Sequence, residues 1–392
     1  MKMTLPSHTE REGGEKEREP LRERFRAILD TLSRHYNDGH AYPWVVAYSG
    51  GKDSTLLLHL VWEMVLGLAP DKRKRSIYIV SNDTLVESPP VIEHLHASLA
   101  VIKKGAEQHG LPMHIKVTEP DIDQTFWVNV IGRGYIPPTR NFRWCTDRMK
   151  IRPTTRLLKK LTTRHQHSVL LIGTRRHESQ NRARNMERRG VRADMTNEHD
   201  NVEGCFVFAP LADLSDDDVW TILMQRPPPW GGSHRPLITL YRNAKGGDCP
   251  LVLSEDDAPS CGTTSPRFGC WTCTVVQKDR SLLGFIESSA EDEDKLEAMA
   301  DFRDWLIKLR EDDNNRSPMR RNGETKFRAD GRHVRGPFTI KVRQRILARL
   351  EQLERDLGEQ FMHPIEKDMI QDIWRDDRAL ETMRTSLSQR HR

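Results

Sequence analysis

Six consecutive residues, Ser49-Gly50-Gly51-Lys52-Asp53-Ser54, carry the clearest chemical content of the chain. Two glycines let the backbone approach an oxyanion closely. Lys52 supplies a cation, and Ser54 can cap a helix or bind phosphate. The apolar run 44–48 precedes the hexapeptide and the apolar run 55–62 follows it. That order reads as buried strand, glycine turn, helix start. The first N–H groups of such a helix have no intrahelical partner. With the helix dipole they attract an anion, usually a phosphate. A Walker A loop needs four residues between its first glycine and its Gly-Lys pair, so this is a different kind of phosphate loop.

Cysteine supplies the second signal. Six are present, at 145, 205, 249, 261, 270 and 273. Cys270 and Cys273 form a C-x-x-C pair, and Cys261 lies nine positions upstream, among Gly262, Pro266 and Gly269. In a reducing compartment such clustering means metal or redox chemistry more often than a disulfide. Three sulfurs need a fourth, and Cys145 is the best candidate, in the basic loop that leads into Lys150-Ile151-Arg152-Pro153. Four thiolates suit structural zinc or a [4Fe–4S] cluster, and spacing alone does not separate them. Cys205 opens an apolar strand and reads as a small core residue. Cys249 reads as an inert loop residue rather than a spare reactive thiol.

These residues need a scaffold. Strand-like runs lie at 44–48, 76–80, 114–117, 168–172 and 205–209, with helical spacing at 20–36, 55–67, 89–109 and 152–163. Strands alternating with helices predict an α/β fold, a parallel twisted sheet with helices on both faces. Ligands of such sheets sit at the carboxyl ends of the strands, where the hexapeptide falls. A short acidic helix is expected after Ser215, with Asp213 and Ser215 as caps, then a proline-rich connector at 227–236. From 281 the chain reads as mainly helical. Four segments result: a disordered tail at 1–20, a catalytic domain at 21–240, a cysteine-rich loop at 241–280, and a helical, basic region at 281–392.

Hydrophobic residues make up 36% of the chain and charged residues 30%, as in a soluble protein. No apolar run is long enough for a membrane helix, and the first twenty residues are polar, so the expected location is cytoplasmic with no membrane partner. The net charge of +5 is modest but uneven. Residues 133–164 hold ten Lys and Arg against one acid, and residues 316–349 hold eleven against two. Such stretches suit a polyanion, either nucleotide phosphates or a nucleic acid backbone.

The hexapeptide resembles the PP-loop of the ATP pyrophosphatase (adenine nucleotide alpha hydrolase-like) superfamily. That resemblance implies ATP as ligand, cleaved to AMP and pyrophosphate, with Ser49, Gly50, Gly51, Lys52, Asp53 and Ser54 around its phosphates. Asp53 would assist a Mg²⁺ through water. The segment Gly173-Thr174-Arg175-Arg176-His177-Glu178-Ser179-Gln180-Asn181-Arg182 resembles one in phosphoadenosine phosphosulfate (PAPS) reductase-like proteins. It implies that Gly173, Arg175 and Arg182 lie beside the nucleotide, the arginines forking onto phosphate and Glu178 orienting one of them. Lys52, Asp53 and Arg175 are then the expected catalytic residues. Ser81-Asn82-Asp83-Thr84, after the second strand, would border the adenosine.

A PP-loop, a cysteine within a Lys-x-x-Pro segment and a late C-x-x-C together are similar to the iron–sulfur class of these proteins. This implies a [4Fe–4S] cluster on Cys145, Cys261, Cys270 and Cys273. PAPS reductases proper end in a tail cysteine, whereas here no cysteine follows Cys273. Residues 143–150, 268–273 and, less specifically, 327–332 are similar to the DndC family, the sulfurtransferases of bacterial DNA phosphorothioation, with the related SspD family as the near alternative. The resemblance implies DNA as acceptor, a cysteine desulfurase as sulfur donor, and other phosphorothioation proteins as partners. Two further readings stay open: a tRNA thiolase or PAPS reductase-like enzyme of the same superfamily, and a zinc-stapled, non-catalytic DNA-binding module.

Overall fold

The structure is a computed structural model that describes residues 20–244, 268–289 and 291–390. The expected tail (save Pro20), Cys249 and Cys261 lie outside the described residues.

Helix α1 (Leu21–Tyr36) leads into strand β1 (Trp44–Ala47), then α2 (Lys52–Gly67), β2 (Ile77–Asn82), α3 (Pro89–Gln108) and β3 (Met113–Thr118). The chain crosses back through α4 (Arg152–His165) to β4 (Ser168–Leu171). Helix α5 (Gln180–Arg188), β5 (Thr196–Glu198) and β6 (Cys205–Phe208) follow. The sheet order is β3-β2-β1-β4-β6-β5. The first five of these pair in parallel and β5 runs antiparallel to β6 at the edge. The α/β fold with a parallel sheet and helices on both faces is therefore present.

Side chains alternate across each strand. Trp44 and Val46 enter one core with α1, α2, α3 and α6 (Asp216–Gln225), while Val45 enters another with Leu158 and Leu161 of α4. Helices α2 and α3 thus cover one face and α4 the other. The connection reverses between β1 and β4, which makes that the switch point of the sheet. Both the 49–54 loop after β1 and the 173–182 segment after β4 open there.

Beyond the sheet come α7 (Arg235–Asn243), α8 (Arg280–Ser288), α9 (Glu293–Glu311), a small antiparallel hairpin of β7 (Lys326–Phe327) and β8 (His333–Val334), α10 (Ile340–Leu357) and α11 (Pro364–Arg390). These helices share a second, aromatic-rich core with 126–131, 144, 149 and 271. In it Trp271 lies 5.8 Å from Trp127 and 5.8 Å from Phe302, ring centre to centre. Indole N–H groups tie the layers together: Trp127 donates to the Phe361 carbonyl at 2.8 Å and Trp374 to the Ile131 carbonyl at 2.9 Å. Among the described residues no helix is long and apolar enough to cross a membrane.

Candidate functional site

Gly50 adopts φ +73°, which only glycine takes without strain, and this bends the chain from β1 into α2. Ser54 staples the turn: its hydroxyl donates to the Gly51 carbonyl at 2.9 Å and accepts from the Ser49 N–H at 3.2 Å. Two other elements hold the loop from outside. The Lys52 N–H donates to the Tyr241 hydroxyl on α7 at 3.2 Å. His94 of α3 lies with Nε2 3.2 Å from the Gly50 carbonyl, and because a carbonyl only accepts, that nitrogen carries the proton. Burial holds the His94 pKa below the ordinary histidine value, so the ring there is neutral at pH 7.

Charge beneath the loop is arranged as a four-residue cluster. Lys52 Nζ lies 3.1 Å from Asp53 and 3.5 Å from Asp216, the first residue of α6. Arg175 is fully buried; its Nε donates to Asp53 at 2.7 Å, its Nη2 to Asp216, and its Nη1 to the Leu214 carbonyl at 3.0 Å. Burial works against a charge on Asp216, but Lys52 and Arg175 outweigh it and lower its pKa. Arg175 accordingly orients Asp53 from below, whereas Arg182, half-exposed and paired with Glu178, faces the open cavity. Glu178 also accepts from the Arg175 N–H at 2.8 Å. Gly173 is required for a close approach: a Cβ there would meet the Asp53 backbone at 2.9 Å.

The cavity above this loop measures about 450 Å³. Ser49, Gly50, Gly51, Asp53, Ser54, Gly173 and Arg182 line it, together with Asn82, Glu87, His94, Lys150, Tyr241 and Phe268. Donors, a helix N-terminus and cations converge on one concave space, which is what a polyphosphate needs. Tyr241, His94 and Glu87 belong to no motif of the sequence, because only the fold brings them to the loop. Asp216 had a usable signal, since it stands next to the capping Ser215.

The cysteine segment docks beside the cavity. Cys270 forms an isolated antiparallel bridge with Glu87, and the Trp271 N–H donates to the Val86 carbonyl at 3.1 Å. Cys270 Sγ lies 3.3 Å from the Thr84 hydroxyl, which donates to Glu87 at 2.9 Å. Lys150 Nζ stands 3.2 Å from Glu87. Burial opposes its charge, but Cys270 and the Glu87 carboxylate outweigh this and raise its pKa. Cys145 precedes a π-helical turn, Thr146–Ile151, that carries Lys150. Burial, then the neighbouring Cys273, raises the Cys145 thiol, and burial, then Glu87, raises Cys270. Three of the four expected ligands thus share one neighbourhood, and the fourth, Cys261, lies outside the described residues. Among the described residues no three ligating side chains are already arranged to hold an ion. The donor chemistry, soft thiols with small cap residues around them, fits a thiolate-ligated metal or cluster. Cys205 is buried in β6, apart from this group.

A family model for the phosphoadenosine phosphosulfate reductase domain matches residues 43–276, more than half of the chain. The chain belongs to the phosphoadenosine phosphosulfate reductase domain family. The matched stretch holds the loop after β1, the segment after β4 and the C-x-x-C pair, and the family is one of enzymes. No match is found among curated proteins. Solved structures with a similar fold include an FMN adenylyltransferase of Candida glabrata in complex with FMN and an ATP analogue, 11% identical over 60% of this chain and 64% of that one, with a TM-score of 0.33. They also include the U34-tRNA thiolase NcsA of Methanococcus maripaludis with its [4Fe-4S] cluster, 14% identical over 67% and 89%, TM-score 0.34. Yeast FAD synthetase in complex with FAD is 11% identical over 54% and 63%, TM-score 0.27.

Proposed function

We propose that the chain is an ATP-dependent sulfurtransferase of the DndC type, replacing a non-bridging oxygen of a DNA backbone phosphate with sulfur. The observation that carries this reading is the wall shared by the nucleotide cavity and the cysteines. Lys150 and Glu87 line the cavity, and Glu87 and Thr84 meet Cys270. Activation by ATP and delivery of sulfur therefore have a common boundary.

Oxide is a poor leaving group, so the acceptor oxygen is first joined to AMP while pyrophosphate leaves. Sulfur at the sulfide level then attacks phosphorus, and the original oxygen departs with AMP. The loop N–H groups, Lys52 and Arg182 would neutralise charge growing on the phosphates. Asp53, held by Arg175, would orient a water-ligated Mg²⁺. Cys145, Cys270 and Cys273, with Cys261, would hold a [4Fe–4S] cluster, which would supply iron–sulfur chemistry at the wall of the nucleotide cavity. DNA, a cysteine desulfurase and other phosphorothioation proteins are the partners this requires.

Nucleoside mass spectrometry of cells with and without the gene tests the acceptor. DNA phosphorothioate dinucleotides should vanish in its absence; loss of thio-nucleobases from tRNA instead would overturn the reading. Lys52→Ala should abolish pyrophosphate release from ATP in a folded protein. Cys270→Ser should lower the iron and sulfide content of anaerobically purified protein, and an unchanged content would reject that ligand.

A further inference from the structure

The cysteine segment runs between two cavities. Phe268 lines the nucleotide cavity, whereas Thr274 and Gln277 line a second one of about 270 Å³, so Cys270 and Cys273 fall between them along the chain. Thr139, Arg140, Val275 and Arg310 complete its walls. Arg310 is nine-tenths buried and is fixed on both arms of its fork, its Nη1 donating to the Pro138 and Thr274 carbonyls at 2.8 Å each and its Nη2 lying 3.7 Å from Glu311. Arg140 stands exposed at the rim, and among the described residues neither it nor Arg143 has an acidic partner. The fork open to an anion is therefore that of Arg140 at the mouth, with Arg310 adding fixed positive charge behind it.

The rim adds a second feature. Residues 139 and 142 close a tight turn with reciprocal backbone bonds of 3.2 Å, and the Thr139 hydroxyl accepts from the Phe142 N–H at 3.1 Å. That turn presents Phe142, 45% exposed, between Arg140 and Arg143, and Trp144-Cys145 follow directly. Cation, aromatic ring and cation in succession match the phosphate–base–phosphate repeat of a polynucleotide. An acidic peptide would use the arginines but leave the ring without a planar partner.

We propose that the second cavity seats a backbone phosphate of a polynucleotide, with Phe142 stacked on the adjoining base. The acceptor strand then lies on residues 139–143, immediately before Trp144 and Cys145 in the chain. This rests on the reading in which the acceptor is a nucleic acid.

Fluorescence anisotropy with the full-length protein and labelled DNA oligonucleotides, at several salt concentrations, tests it. Binding should persist in saturating non-hydrolysable ATP analogue. Arg140→Gln should reduce the slope of log affinity against log salt by about one. Phe142→Ala should weaken binding about five- to a hundredfold. Both residues are exposed, and unchanged thermal midpoints check that the variants fold. Parent-like affinity and slope in both variants would overturn the site while leaving the nucleic-acid acceptor standing. Displacement of the strand by the ATP analogue would likewise place it elsewhere and overturn the site. No binding of any oligonucleotide by the parent protein would overturn both readings, and retention of an acidic polyglutamate peptide instead would point to a protein partner.

Discussion

Arg175 shows how far a motif can be read and where it stops. Its position three residues from Glu178 was visible in the sequence, and so was its place after a strand. What was not visible is direction: the guanidinium turns inward, to Asp53 and Asp216, and its accessible surface is nil. The Asp216 partner comes from another element forty-one positions on, and no local pattern announces such a meeting. Gly173 teaches the same lesson, because its small size answers to the Asp53 backbone and not to its own φ. An inward arginine sets a clear expectation. Arg175→Met leaves two carboxylates facing each other beside Lys52 with their fixed counter-charge removed. Breaking a buried pair in this way typically costs roughly 3–5 kcal/mol. The unfolding free energy from urea titration should fall by that amount, and pyrophosphate release should fall further than the loss of folded protein accounts for. A variant as stable as the parent would show that Arg175 is not the anchor of Asp53.

At the scale of elements, strands with strong alternation or full burial were legible, and so was α6, whose Ser215 is the expected cap and also forms a capping box with Asp218. Asp213 pairs with Arg176 instead of capping. Strand β5 was not legible: Thr196, Asn197 and Glu198 are polar, and only pairing with β6 makes them a strand. The π-helical turns at Val128–Gly132 and Thr146–Ile151 were also hidden, because one inserted residue per turn leaves no periodic signal in so short a stretch. The proline-rich connector gives way to helix at Arg235, and α7 carries Tyr241 to the loop. Where α7 begins, His234 is buried against His59 and Trp230, its ring centre 5.7 and 6.0 Å from theirs, and its Nε2 has no partner. Burial, reinforced by His59, pulls its pKa down to about 4. The folded chain therefore keeps His234 neutral where the unfolded chain, near 6.5, accepts a proton. Stability is complete above about pH 6.5 and is lost as pH falls toward about 4, at up to ~1.4 kcal/mol per pH unit. His234→Phe should flatten this limb of the stability–pH curve between pH 6.5 and 4.5 in urea titrations. An identical slope in parent and variant would remove His234 as its source.

Over the whole molecule, the aromatic core does more than append helices to a sheet. Val86 after β2, Trp127 and Trp144 from the β3–α4 connection, Trp271 from the cysteine segment and Trp374 from α11 pack in one cluster. The segments that carry Cys145, Cys270 and Cys273 are therefore held by residues drawn from both ends of the chain. Helix α11 contributes Ile370 and Trp374, both buried, and its Asp377 pairs with Arg343 at 2.7 Å. Ile373 of the same helix would sit 3.1 Å from a Cβ on Gly132, so the packing there is tight. A distant substitution should consequently be felt at the thiols. Trp374→Ala empties a large volume and frees the Ile131 carbonyl, a change of roughly 3–5 kcal/mol. Thermal unfolding should shift down by several degrees. In reduced, metal-free protein, Cys145 and Cys273 should react faster with a thiol reagent, as mapped by peptide mass spectrometry, while Cys205 in the sheet keeps the parent rate. Equal acceleration at Cys205 would mean general loosening, and no acceleration at Cys145 or Cys273 would mean that the C-terminal helices do not position the cysteines. The expected split, fast at two thiols and unchanged at the third, follows because Cys205 belongs to the other core.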